Sequence, residues 1–117
     1  MAVDKGCYIS PQAGVFLAPL PPGASPGQIE RQHQAAAGLD NLLTLCKKHK
    51  AKIAFGCDLF GSLEDKKMQG DEFANRAKWF SNAEILTQAT ACKAEILALS
   101  GPRNPYPGKL GVIEEGA

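Results

Sequence analysis

Lys52-Ile53-Ala54-Phe55-Gly56 is the stretch that most restricts how this chain can fold. It is short and continuously apolar from Ile53 to Phe55. Strands covered on both faces read this way, whereas a strand with one wet face alternates. Such a strand needs a layer on either side, and helical patterns flank it in the chain. Gly56-Cys57-Asp58 then turns the run into a loop headed by an acid. In parallel α/β folds the carboxyl ends of the strands are where side chains meet substrates.

Upstream, Ser25-Pro26-Gly27-Gln28 reads as a helix start. Ser25 can cap, Pro26 suits the first helical position, and Gln28 completes a capping box. This helix is expected to reach about Lys48. Leu39, Leu42, Leu43 and Cys46 recur at helical spacing and form its buried face. Lys47, Lys48 and Lys50 fall at the negative end of the helix dipole, which explains the basic cluster without a ligand. Downstream, a long loop over 57–70 leads to a helix from about Asp71 to Phe80. Ser81-Asn82-Ala83-Glu84 is a second capping box. It opens a helix with the stripe Ile85, Ala89, Cys92, Ile96 and Leu99, stopped by Ser100-Gly101-Pro102.

Residues 6–10 read as a first strand limited by Pro11, which donates no ladder hydrogen bond. Residues 11–24 read as a Pro- and Gly-rich loop anchored by Val15, Phe16 and Leu17. Residues 102–108 are a connector, and Leu110–Ile113 is expected to form a last short strand. The β-α-β-α order calls for an α/β fold with a parallel sheet and right-handed crossovers. Two parallel strands cannot cover their own edges, so neighbours are expected. Unpaired edges promote association, and a homo-oligomer is one way to cover them.

With 117 residues the chain is one domain or part of one. Its net charge is +1 with both signs interspersed, so neither nucleic acid nor a membrane surface is expected as a partner. No apolar run approaches the roughly 20 residues that span a bilayer. Residues 1–10 do not read as a signal peptide. Cys7, Cys46, Cys57 and Cys92 form no C-x-x-C pair. They point to a reduced, cytoplasmic setting.

Asp58 is the first candidate for chemistry. At a strand's carboxyl end an aspartate can bind a metal through one oxygen, and can take a proton from a water and pass it to a leaving amine. The same position also suits an aspartate that only stabilises a turn. Ser10 and Gln12 flank the Pro11 loop, where Gln12 either touches substrate or stabilises the turn. His33 reads as a surface histidine on the first long helix. Cys46-x-x-His49 has the spacing of half a zinc site with no second half, and one aspartate cannot hold a catalytic zinc, which needs about three protein ligands.

Taken in order, the residues resemble the C-terminal part of the metal-dependent amidohydrolase superfamily. Lys52–Asp58 looks like that superfamily's last barrel strand and the aspartate ending it, with Cys57 where Thr or Ser is common. Glu72-Phe73, the helix at 82–98 with Thr87-Gln88-Ala89-Thr90, and Gly108–Ala117 follow in the same order, and residues 7–16 look like the preceding strand and loop. The Phe55–Gly61 run and Glu72-Phe73 look most like the prolidase-like and imidazolonepropionase-related branch. The resemblance implies the last two strands and helices of a (β/α)8 TIM-like barrel over residues 1–101. Residues 102–117 would be a connector and the start of a flanking β-sandwich. It implies a hydrolase of C–N bonds acting on a dipeptide, an acylated amino acid or a cyclic amide. Zinc or another divalent ion would be the cofactor, with Asp58 as metal ligand and as general base, then acid. The superfamily's histidine ligands have no counterpart among His33 and His49, so the chain is expected to be a piece of such an enzyme, inactive alone. The alternative is a non-catalytic α/β interaction module or an inactive remnant.

Overall fold

A computed structural model describes residues 2–58, 63, 66 and 68–117. Two short strands, β1 (Tyr8–Ile9) and β2 (Lys52–Ile53), pair in parallel with Tyr8 opposite Lys52 and Ile9 opposite Ile53. The Ala54 N–H still donates to Ile9 O at 2.9 Å. The ladder stops there because Pro11 has no N–H to continue it. The expected strand over 52–56 is therefore regular only at its start. Beyond Ala54, the Phe55 N–H leaves the sheet and donates to Gln88 O at 3.2 Å.

The long helix α2 (Pro26–Lys48) lies between the strands, as expected. Its capping box is formed: the Gln28 N–H donates to Ser25 Oγ, and the Ser25 N–H donates to Gln28 Oε1 at 2.8 Å. Its end is a Schellman closure, in which the Ala51 N–H reaches Cys46 O and the Lys50 N–H reaches Lys47 O. Lys50 occupies the left-handed region (φ 53°) that glycine usually fills. Only Lys50 and Ala51 then separate the helix cap from β2.

Residues 11–24 are not all loop. Ala13–Leu17 form a short helix, α1. No local cap is present; the N–H groups of Ala13 and Gly14 donate instead to the carboxylate of Glu72, at 3.1 and 2.6 Å. The helix expected over 71–80 is shorter: α3 is Asp71–Arg76, and a turn then carries Trp79 and Phe80 into the core. The helix expected over 82–98 is broken into α4 (Asn82–Ala89) and α5 (Ala91–Ala98), with Thr90 between them at φ −113°, ψ −83°. The capping box of Ser81 and Glu84 is formed.

The expected strand at Leu110–Ile113 is absent. Those residues bend back over the α4–α5 junction, and Ile113 is fully exposed. Gly111 has φ 74°. A Cβ there would stand 2.6 Å from Thr90 O, so the tail touches the junction where only glycine fits.

The core gathers Ala13, Leu39, Leu43, Cys46, Ile53, Trp79, Phe80 and Ile85, with Ile9, Ala51 and Phe55 packed against it. Leu42, expected inside, is 38% exposed, and Leu99 is 74% exposed. Outside the core, Tyr8, Lys52 and Glu95 join β1, β2 and α5: Lys52 Nζ donates to the Tyr8 hydroxyl at 3.1 Å and to Glu95 at 2.9 Å, and that hydroxyl donates to Glu95. No described helix is long and apolar enough to cross a membrane.

Leu43→Ala is expected to cost roughly 2–5 kcal/mol, and Leu99→Ala no more than about 0.5 kcal/mol, in urea denaturation. A second expectation concerns pH. The Ser81 backbone N–H, then its hydroxyl, then Lys47 hold the Glu84 carboxyl below the usual range. Its contribution is complete above the unfolded value of about 4.3 and lost as pH falls through the lower folded value. Glu84→Gln should therefore flatten the acid limb of a stability–pH curve.

Candidate active site

β1 and β2 run the same way, so their carboxyl ends deliver two loops side by side. One is Ser10-Pro11-Gln12; the other is Ala54–Asp58. Gly56 is where they touch. A Cβ on it would lie 3.3 Å from Ser10 Oγ and 3.7 Å from Gln12 Nε2. The structure thus brings Ser10 and Gln12 beside the segment that ends in Asp58.

Asp58 stands past the end of β2, outside any helix, exposed, and with φ 47°. Left-handed backbone is uncommon for a residue other than glycine, although aspartate is among those that tolerate it. Asp58 follows β2 by five residues, on the carboxyl-end side of the parallel pair. His33 lies partway along α2 and is exposed, as a surface histidine would be, and His49 caps the same helix at the opposite end of β2 from Asp58. Cys46 is buried, and burial pushes its thiol up, as suits a core residue. All four cysteines are free. Among the described residues no group of three or more His, Cys, Asp or Glu could hold a metal ion.

The loops are held from beneath by a buried pair. Glu72 and Arg76, one turn apart on α3, are 1% and 0% exposed. Arg76 Nε donates to Glu72 Oε1 at 2.6 Å. One terminal nitrogen donates to Ala54 O at 3.2 Å and Gln88 Oε1 at 2.7 Å, the other to Pro11 O at 2.5 Å. The guanidinium also lies over the Phe55 ring, 4.8 Å from its centroid, and that ring meets Phe73 at 4.4 Å. Every buried side-chain N and O among the described residues has a partner. The sequence singled out Glu72 only through a family resemblance, and Arg76 not at all. The one local signal was an acid and an arginine four apart, which more often marks a solvent-facing pair.

No protein-family model matches the chain, and no curated protein matches it. Among solved structures it is similar to the crystal structure of an amidohydrolase, at 30% identity with a TM-score of 0.68. The alignment covers 99% of this chain and 27% of that one. The likeness supports the amidohydrolase resemblance along the whole length described above, and the chain spans about a quarter of the neighbour.

Removing one member of the buried pair should be worse than removing both. Arg76→Met, which strands a carboxylate, is expected to cost about 3–5 kcal/mol. Adding Glu72→Leu should recover part of that loss, because the orphaned charge goes with it. A double-mutant cycle in urea reads the coupling.

Proposed function

We propose that this chain is the C-terminal part of a metal-dependent amidohydrolase that hydrolyses C–N bonds, with Asp58 as its proton-handling carboxylate. The observation that carries the reading is the place of Asp58. It lies five residues beyond β2, on the carboxyl-end side of the parallel pair, exposed and with left-handed backbone, in a chain that aligns over 99% of its length with an amidohydrolase. Residues 1–101 would supply the last two strands and helices of a (β/α)8 barrel, and residues 102–117 a connector toward a flanking sandwich.

In this reading Asp58 accepts a proton from the attacking water and returns it to the departing amine. The zinc or other divalent ion of the whole enzyme would be held mainly by residues beyond those seen here, and would polarise the carbonyl and acidify water when bound. Gln12, beside Gly56, would meet the substrate at the mouth. The substrate class is a dipeptide, an acylated amino acid or a cyclic amide, in line with the branch that the Phe55–Gly61 run resembles. Four free cysteines suit a reducing compartment such as the cytoplasm.

A chimera tests this. The matched quarter of the amidohydrolase is replaced by this chain, and its hydrolysis of that enzyme's own substrate is followed. Activity should persist and fall by roughly 10²–10⁴-fold in Asp58→Asn, the range of a lost general acid–base. A folded chimera with no activity, or one indifferent to Asp58→Asn, would favour a non-catalytic module. The chain by itself is expected to retain no zinc after dialysis. Stoichiometric zinc that vanishes in Asp58→Ala would show a site assembled in another way.

A further inference from the structure

We infer that Arg76, held by Glu72, is the positioning residue of the candidate site, fixing the loop that carries Asp58 against the loop that carries Ser10 and Gln12. The inference deepens the reading of Asp58 as the proton-handling group and rests on it only for the consequence in catalysis.

Three features point this way. First, the acceptors of Arg76 come from different parts of the chain. Pro11 O lies in the middle of the first loop, Ala54 O opens the second, and Gln88 Oε1 comes from α4. Ala54 is four residues before Asp58, and its carbonyl is the first beyond the ladder. Second, Glu72 takes the other side of the first loop. Its two oxygens bind the N–H groups of Ala13 and Gly14, directly after Gln12. The two charges thus grip one loop at both Pro11 and Ala13-Gly14. Third, Gly56 leaves the loops room to touch, with Ser10 Oγ at the place a Cβ would crowd.

A guanidinium suits this task and an ammonium does not. It presents N–H donors in a fixed planar fork, so acceptors in several directions determine its orientation. Both side chains are out of water, where an imperfectly met polar group is costly and geometry is sharply defined. A site held this way can keep an exposed carboxylate in place although the carboxylate itself lies on an irregular segment. Neither Glu72 nor Arg76 is accessible enough to touch a substrate.

Residue-resolved amide hydrogen exchange on the full chain decides the matter. In Arg76→Lys the amides of Ala13, Gly14, Ala54 and Phe55 should exchange about tenfold faster or more, through local opening. Amides in the middle of α2 should change by less than about twofold. Uniform acceleration throughout, or none at the loops, would overturn the inference. Should Arg76→Lys fail to fold, Gln88→Leu serves, since it removes one acceptor only. There Ala54 and Phe55 should loosen while Ala13 and Gly14 stay protected; unchanged exchange at Ala54 and Phe55 would overturn the inference equally. In the chimera described above, Arg76→Lys should lower kcat about tenfold with KM little changed, as for a displaced general base. Full turnover would sever the link to Asp58. An inactive unmutated chimera would count against the amidohydrolase reading alone, because the exchange pattern reads the clamp independently.

Discussion

The fold depends on a buried charge pair that no short-range rule would place in a core. Glu72 and Arg76 are stripped of water, and that desolvation costs several kcal/mol per ion before any bond is counted. The cost is offset only because the inner lone pairs and protons are met. Glu72 accepts from two backbone amides and from Arg76, and Arg76 donates to three further acceptors. An apolar pair of similar volume could fill the space, but it could not satisfy the carbonyls of Pro11 and Ala54 or the amides that begin α1. The carbonyls lie just past the strand ends and the amides open a helix, so neither the ladder nor the helix gives them a partner. The pair supplies the partners that regular structure would have provided.

Local chemistry in the sequence was enough for the parts of the fold that local chemistry makes. Both capping boxes, the span of α2 and the inward face of Leu39, Leu43 and Cys46 could be read directly, because each depends on residues within a turn or two, and the parallel pairing followed from the β-α-β order. The misses share one cause. α1 has its cap 59 residues away in Glu72. The break at Thr90 coincides with the diversion of Gln88 O to Phe55, which a continuous apolar stripe cannot reveal. The strand over 110–113 failed because β-branched residues make a strand only when another strand is beside them, and Gly111 turns the tail onto a helix junction instead. The candidate site divides the same way. Asp58 stood out from its place after an apolar run; Arg76 did not, because nothing in its own neighbourhood announces burial.

Apolar surface remains on the outer side of α2 and around β1. Leu42 and Leu45 are both more than a third exposed. Ala2, Val3, Ile9, Cys46 and Ala51 complete a wide hollow against them, with Asp4 and His49 at its margin. Within the described residues the two strands have one neighbour each.

The turn between α2 and β2 sets a limit on how this chain can vary. Helix and strand are joined by a cap and two residues, His49, Lys50 and Ala51, and their bonds to Leu45, Cys46 and Lys47 fix the exit direction. Side chains alternate along a strand, so a single residue added here would turn Ile53 out of the core and Lys52 into it. It would also slide Ala54 away from Arg76. Length at this joint is therefore as constrained as any side chain in the core: an insertion would move the Asp58 loop without altering a residue in it.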